Sequence, residues 1–309
     1  MLRFIATRAL RAAVTIALVV TFAFVVLRLS GDPAILIMGP EVPPEALDAF
    51  RRAWGLDLPV WQQYLNYLAA FAQGDLGYSM RDNRPAVEVV LDRVPATLAL
   101  TVPALIVKLA IGIPAGVWAA LHQGTGFDRA VMVAAVFGFA VPSFVLALVL
   151  VLIFAVTLGW LPSGGQGGVA HMVLPVLTMG LGGAAALARF TRSAMLEVLG
   201  RPYIRTASAK GLPWAAVVRG HALPNAAIPT VTLIGFLVGS LIAGAVVVES
   251  VFSWPGVGRM LVVAVASRDL AVVQVILLMV AATMVVSNLI VDILYGVLDP
   301  RLRQGAKAA

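Results

Sequence analysis

The sequence has no cysteine and few charged residues. Among its 309 residues the absence of cysteine excludes disulfides and thiolate chemistry, and the three histidines do not group into a metal-ligand spacing. Charged residues make up 12% of the chain, whereas soluble domains have roughly 25%. The composition therefore excludes an ordinary soluble enzyme.

The usual nucleotide-binding and catalytic signatures are also missing. The chain contains no G-x-x-x-x-G-K-[ST], so it does not bind ATP through a P-loop, and it contains neither H-E-x-x-H nor G-x-S-x-G. No spacing of serine, histidine and aspartate favours a nucleophile. We therefore predict that the chain is not an enzyme and that it binds no cofactor and no metal of its own.

Apolar sequence is abundant instead, at 61% of the chain with a mean hydropathy of +0.98. Apolar runs of this length predict membrane-spanning helices. The sequence predicts an all-α membrane protein with six transmembrane helices at residues 12–27, 96–121, 130–158, 171–188, 227–248 and 270–297.

The charges between these spans predict the topology. Segment 189–226 carries six cations and one acid, and the flanks 1–11 and 301–309 are also basic. Segment 29–95 carries nine acids against five arginines. Because lysine and arginine accumulate on the cytoplasmic side, both termini are expected in the cytoplasm and segment 29–95 outside. The net charge of +7 thus reflects topology rather than nucleic-acid binding.

Segment 29–95 is expected to be a mostly helical insert on the outer face. Pro44 and Glu45 suit the first turn of one helix, and residues 59–71 have helical spacing. Two compatible interpretations stay open: a small cap, or a docking platform for a protein that delivers substrate.

Polar side chains inside or beside the spans are the candidates for a translocation path. An intramembrane charge indicates function by default, but the same groups could instead bond between helices. These candidates are Lys108, Glu249, Gln274, Asn288 and Asp292, of which Asp292 is expected to pair with an inner-loop arginine.

Two G-x-x-x-G pairs lie in the predicted spans and predict close helix contacts. They are Gly112 with Gly116 and Gly235 with Gly239.

The segment 203–224, YIRTASAKGLPWAAVVRGHALP, is the centre of the functional prediction. Gly211 suits the left-handed position after a helix, and Pro213 suits the start of the next one. We therefore predict two short helices, 203–210 and 213–221. Ala207 and Gly211 are four residues apart and are expected on one face without bulk. We expect this short cationic pair of helices to fit into a groove on another protein.

This segment resembles the cytoplasmic "EAA" loop of bacterial ABC-importer permeases. That pattern is E-A-A, three residues, Gly, nine residues, I-x-L-P. Gly211 takes the glycine, Ala207 the second alanine, and Leu223 with Pro224 the end of the pattern. The chain departs from it at Arg205, Thr206 and His221, and R-T-A-x-A-K-G-L is similar to the dipeptide, oligopeptide and nickel branch. Segments 29–33, 55–65, 74–80 and 249–260 resemble the same branch.

The resemblance implies a type I ABC-importer permease of the bacterial inner membrane that imports dipeptides or oligopeptides. It implies a second permease subunit, two P-loop ATPase subunits that carry ATP and Mg²⁺, and an extracytoplasmic binding protein as partners. The implied ATPase-coupling residues are Tyr203, Arg205, Thr206, Ala207, Lys210, Gly211, Leu223 and Pro224. The implied domains are 1–95, a permease core 96–300 with the coupling loop 189–226, and the tail 301–309.

Other functions stay open at this point. A glutathione or nickel permease of the same branch would have the same features. An ion-coupled secondary transporter would use a membrane charge such as Lys108, and a membrane scaffold would need no path at all.

Overall fold

The computed structural model describes residues 13–22, 24–26, 31–39 and 41–298. The predicted cytoplasmic segment 1–11 and the tail 301–309 lie outside the described residues, as does the side chain of Asp292. The described helices are α1 (Ala13–Val26), α2 (Pro33–Met38), α3 (Pro44–Ala53), α4 (Val60–Ala72), α5 (Ala86–Leu91), α6 (Val94–Leu121), α7 (Gly126–Ala140), α8 (Ser143–Leu150, continued by a π-helical turn Val151–Thr157), α9 (Val169–Leu199), α10 (Pro202–Ala209), α11 (Trp214–Val217, continued by a π-helical turn Val218–Ala222), α12 (Leu223–Gly239), α13 (Val246–Val251), α14 (Val257–Ala266) and α15 (Leu270–Leu298).

Four of the described helical stretches are long and apolar enough to cross a membrane: Ala86–Leu121, Val169–Leu199, Trp214–Gly239 and Leu270–Val291. The bent pair formed by α7 and α8 would make a fifth, and α1 is a shorter apolar helix. The all-helical membrane class is therefore confirmed, whereas the count of six spans stays a prediction.

The third predicted span, 130–158, is broken rather than continuous. Its two halves meet at an angle of 103° next to Pro142. Val141, the residue before the proline, is extended, with φ −82° and ψ 117°. A proline disfavours helical geometry at the preceding residue and lacks an N–H group, so α7 ends and α8 begins here.

Two other spans have different bounds from those predicted. Helix α9 continues eleven residues beyond residue 188, to Leu199, because no helix breaker precedes Gly200. Helix α12 ends at Gly239 instead of residue 248. There the Ser240 hydroxyl donates a hydrogen bond to the Leu237 carbonyl (2.9 Å), which competes with the regular helical pattern.

The chain forms two compact units. Of the described residues, the first comprises those from 13 to 97 together with 255–282, and the second comprises 98–254 together with 283–298. Helices α6 and α15 each contribute to both units.

Polar contacts fix the predicted outer insert within the first unit. Thr21 of α1 and Tyr64 of α4 share a hydrogen bond of 2.7 Å. The buried Ser79 hydroxyl donates to a carboxylate oxygen of Asp269 at 2.5 Å, just before α15 begins. Arg51 bonds Asp32, which also caps α2, and this hydrogen bond raises the pKa of the guanidinium. Helices α3 and α4 confirm the predicted helical insert.

Close helix contacts at glycine fix the second unit. A Cβ atom at Gly112 would lie 2.8 Å from the Ala184 carbonyl oxygen, and one at Gly116 would lie 2.5 Å from that of Ala188. The other pair makes similar contacts, since the Ser287 hydroxyl donates to the Gly235 carbonyl. Both predicted G-x-x-x-G contacts are confirmed, because a side chain at any of the four glycines would collide with the neighbouring helix.

Candidate functional site

The knuckle, residues 202–224, begins with helix α10 and a glycine turn. Gly211 has φ +82°, in the left-handed region where a side chain is strained, and its N–H donates to the Ser208 carbonyl at 3.0 Å. The Pro213 carbonyl then accepts from the N–H groups of Ala216 and Val217. The glycine and the proline act as the sequence indicated: one ends a helix and the other starts the next.

The second helix of the knuckle does not end at His221. Helix α11 passes through the π-helical turn Val218–Ala222 directly into α12, so that one helical stretch runs from Trp214 to Gly239. The knuckle is therefore joined to the following span by continuous helix. No loop therefore separates α11 from α12.

Ala207 and Gly211 do not lie on one face, contrary to the expectation from their spacing. Ala207 is 7% exposed and belongs to a cluster with Ile204 of α10 and Val217 of α11, on which Met195 of α9 also packs. Gly211 lies in the turn, and nothing stands within 4 Å of the position that its Cβ would take. Ala207 thus packs the two short helices together, and only Gly211 faces outward.

The outer surface of the knuckle combines cations with large apolar side chains. Leu212 is 42% exposed and Trp214 53% exposed, on either side of Pro213, and Tyr203 is 42% exposed. Arg205 and Lys210 are exposed as well, and neither has an ion-pair partner among the described residues.

The remaining coupling candidates differ in burial. Thr206 is exposed and its hydroxyl donates to the Pro202 carbonyl at 3.1 Å. Leu223 is half-buried against the Ala207 cluster, and Pro224 is exposed in the first turn of α12. Sequence reasoning missed Leu212 and Trp214, although two apolar residues that flank a proline in a cationic loop are an available signal.

Two cations of the predicted inner loop form ion pairs with acids of the same chain. Arg192 of α9 forms a two-point ion pair with Asp128 at the start of α7, and one of its hydrogen bonds measures 2.8 Å. Asp128 is buried and also accepts from the Gly124 N–H at 2.9 Å. Arg201 pairs with Glu197 at 2.5 Å on the surface. These two arginines therefore stabilise the region around the knuckle rather than its outer surface.

A cavity of about 740 Å³ lies in the second unit, lined by α6 to α9 and by Val248 of α13. Lys108 lines it together with mostly apolar residues such as Ile111 and Phe137. An ammonium group at the centre of a bilayer costs roughly 2.5–3.5 kcal/mol on insertion scales. The structure thus brings one predicted path residue to a cavity large enough for a small ligand.

Of the other path candidates, three have side chains that the structure describes, and none of the three lines this cavity. Glu249 is fully buried in α13, next to the lining residue Val248. Gln274 is buried in the first unit, and its amide nitrogen has no hydrogen-bond partner among the described residues. Asn288 is exposed on α15. Lys108 is therefore the one path candidate with a described side chain that lines this cavity.

A smaller cavity of about 290 Å³ lies in the first unit, lined by residues of segments 81–93 and 255–272. Arg81, Arg93 and Arg259 line it, together with Asp82 and the buried Asp269. The three arginines outnumber the two aspartates, although segment 29–95, which supplies Arg81 and Arg93, is acidic overall. Sequence reasoning missed this cavity because the arginines are far apart along the chain.

Comparison with known families gives two matches that together cover nearly the whole chain. Residues 112–304 match the family described as "Binding-protein-dependent transport system inner membrane component". Residues 1–101 match the N-terminal family of the same transport systems.

The chain is also similar to curated proteins along most of its length. It is 42% identical over 285 residues to the glutathione transport system permease protein GsiC of Escherichia coli strain K12, covering 92% of this chain and 93% of the relative. The GsiC protein of Shigella boydii is 41% identical over the same extent.

Among solved structures, the inward-facing MetNI methionine ABC transporter has a similar chain. Two crystal forms give TM-scores of 0.56 and 0.53 at 20% and 21% identity, covering 68% of this chain and at least 95% of the other. At this identity the likeness shows the fold alone.

Proposed function

The chain belongs to the family of inner membrane components of binding-protein-dependent transport systems, and on that premise we propose how it couples ATP hydrolysis to import and what it imports. It is the membrane-spanning permease subunit of an ABC importer, with the fold of the type I permeases, and it is not itself an enzyme. The ATP and Mg²⁺ of such a system belong to separate ATPase subunits.

The cargo is a short peptide, and glutathione is the first candidate. The relatives that are 42% identical over 92% of the chain are named for glutathione, which is chemically a tripeptide. This similarity favours a short peptide over a nickel complex. The cavity volume of about 740 Å³ suits a ligand of that size.

The knuckle is the contact with the ATPase. Tyr203, Leu212 and Trp214 offer exposed apolar area, and Arg205 and Lys210 supply charge at its edge. Aromatic anchors with a charged rim are typical of protein–protein interfaces. Of the matched positions, Gly211 and Thr206 take part through the exposed surface, whereas Ala207, Leu223 and Pro224 hold the knuckle's shape.

The single observation that carries this mechanism is the unbroken helix Trp214–Gly239. When ATP closes the ATPase dimer, the grooves that hold the two knuckles of the importer move together. Each knuckle passes that movement to α12 through continuous helix and to α9 through the Ala207 cluster. The helices then rearrange as coupled rigid bodies, so that the pore closes on one side of the membrane and opens on the other. The ATPase groove must bind the knuckle differently in the two states, since otherwise no equilibrium would shift.

The full assembly comprises a second, related permease subunit, two ATPase subunits and an extracytoplasmic binding protein. Both termini and the coupling segment 189–226 lie in the cytoplasm, which the positive charge of the inner segments supports. The outer insert 29–95 receives the binding protein, and the recess lined by Arg81, Arg93 and Arg259 supports this role.

Co-purification from mild detergent followed by mass spectrometry tests the proposed class of transporter. Recovery of a P-loop ATPase and a second membrane permease with the chain is expected. Recovery of the chain alone, with no ATPase after crosslinking at Lys210, would contradict the proposal and favour an ion-coupled secondary transporter. Binding of radiolabelled glutathione by the co-purified binding protein then tests the cargo.

A further inference from the structure

The cavity of the second unit presents one charged group to an otherwise apolar space. Among the described residues that line it, Lys108 is the only ionisable one, and Ser143 and Thr178 are the only hydroxyl-bearing ones. The Thr178 hydroxyl is already used, since it donates to the Leu174 carbonyl at 2.8 Å. Any polar group that enters this space therefore meets mainly the ammonium of Lys108.

The position of this ammonium is fixed by packing against Gly183 of α9. A Cβ atom at Gly183 would lie 2.6 Å from Cε, 2.7 Å from Cδ and 2.9 Å from Cγ of Lys108. The methylene stem therefore lies flat on a helix backbone that only glycine leaves bare. Since the stem is held in this way, the charged end is directed rather than free to reach the membrane surface.

Lys108 has no hydrogen bond or ion pair with any of the described residues. The nearby acid Glu249 is fully buried and is not part of the lining, and the inner acid Asp128 is engaged by Arg192. A membrane lysine that only bonds between helices would have a partner among these groups. An anion from outside the chain is the partner that the geometry leaves open.

We infer that Lys108 binds a carboxylate of the peptide cargo while the cargo crosses the membrane, an inference that rests on the proposed peptide import. A carboxylate is the anionic group that peptides share at their C-terminus. The apolar walls accept varied side chains, while one ammonium holds the shared group. Such a site is selective for the class of cargo without being selective for its side chains.

The phosphate of an anionic lipid is the other source of an anion in a membrane. The experiment therefore uses two membranes, phosphatidylcholine alone and phosphatidylcholine with phosphatidylglycerol. The probes are radiolabelled glutathione and its diamide, in which both carboxylates are replaced by carboxamides. Binding of each probe is measured by equilibrium dialysis on the assembled importer in nanodiscs without the binding protein, and ATP-driven uptake of glutathione is measured in proteoliposomes.

Three variants separate charge from packing. Lys108→Met keeps the stem that covers Gly183 but removes the charge, Lys108→Arg keeps a charge, and Gly183→Ala displaces the stem and keeps the lysine. We expect Lys108→Met to weaken glutathione binding roughly ten-fold or more, the typical effect of losing a charge-assisted hydrogen bond, and to leave diamide binding unchanged. Lys108→Arg should retain most of the preference for glutathione over the diamide. Gly183→Ala should lose part of that preference.

An unchanged ratio of glutathione to diamide binding in Lys108→Met would overturn the inference while wild-type uptake still supports peptide import. Equal weakening of both probes would also overturn it and assign Lys108 a packing role. If Lys108→Met weakens glutathione binding only in nanodiscs that contain phosphatidylglycerol, the anion that Lys108 binds is a lipid phosphate. If the wild-type importer binds and transports neither probe, the proposed cargo is wrong and the inference fails with it.

Discussion

Arg192 and Asp128, 64 residues apart in sequence, form a two-point ion pair that joins the C-terminal half of α9 to the start of α7. The pair is largely buried, with 17% of the arginine and 5% of the aspartate side chain exposed. Helix α9 goes on from Arg192 to the cluster on which the knuckle packs. The ion pair thus holds α9 in place next to the cluster on which the knuckle packs. The proposed mechanism requires this, because the knuckle passes its movement to α9 through that cluster.

We predict that neutralising either partner destabilises the permease. Asp128→Asn and Arg192→Gln each leave a buried group without its counter-charge, so each should lower the midpoint of thermal unfolding in detergent. The reversed pair, Asp128→Arg with Arg192→Asp, should recover part of that loss. Recovery is incomplete because Asp128 also accepts from the Gly124 N–H and sits in the first turn of α7, where an acid is favoured. A reversed pair less stable than both single variants would show that the two charges are not coupled.

Gly211→Val should separate ATP hydrolysis from transport. The position has open space, so the side chain projects outward into the proposed ATPase contact, and its φ of +82° adds about 1–2 kcal/mol of local strain. Uptake per ATP hydrolysed should fall roughly ten-fold or more, while the folded complex can still be purified. The measurement is the ratio of uptake to phosphate release in proteoliposomes.

Gly159→Val is the matched control for this prediction. Gly159 also has a positive φ, +63°, and open space around its Cβ position, but it lies in the loop between α8 and α9, away from the knuckle. The ratio of uptake to phosphate release in Gly159→Val should match that of the wild type. Normal coupling in Gly211→Val, or an equal loss in the control, would contradict the role of the knuckle.

Gly116→Ala should destabilise the contact between α6 and α9. The added methyl would lie 2.5 Å from the Ala188 carbonyl oxygen, and overpacking of this kind costs about 1–3 kcal/mol. At Gly182, in the middle of α9, the nearest atom lies 3.9 Å from the Cβ position. Gly182→Ala should therefore raise the free energy of unfolding by up to about 1 kcal/mol, through its higher helix propensity. Chemical unfolding in mixed micelles measures the free energy of unfolding of both variants. A change of the same sign in the two would contradict the close packing at Gly116.

The sequence predicted the bounds of α6 and α15 best. Helices α6 and α15 begin and end within two residues of the predicted bounds, because long apolar runs have few alternatives in a membrane. Pro103 and Pro114 remain inside α6, whereas Pro142 separates α7 from α8. Whether a proline breaks a membrane helix depends on neighbours that satisfy the freed carbonyl, and a single sequence does not show those neighbours.

The knuckle shows the same division between local and tertiary information. Gly211 and Pro213 act through their own backbone preferences, so their turn was predictable. The burial of Ala207 and the exposure of Leu212 and Trp214 depend on how α10 and α11 pack on α9. The contact of Lys108 with Gly183 likewise joins distant parts of the chain, and no local pattern indicates it.

The measurement that tests the central claim most directly is site-specific crosslinking of the knuckle to the ATPase. The native chain has no cysteine, so Leu212→Cys gives a single attachment point for a maleimide–benzophenone probe, and Gln123→Cys in the exposed turn after α6 is the control. We expect illumination of the assembled importer to crosslink position 212, but not position 123, to the ATPase subunit, with a yield that changes when ATP is bound. Crosslinks from position 123 alone, or none from position 212 in a complex that contains the ATPase, would contradict the account.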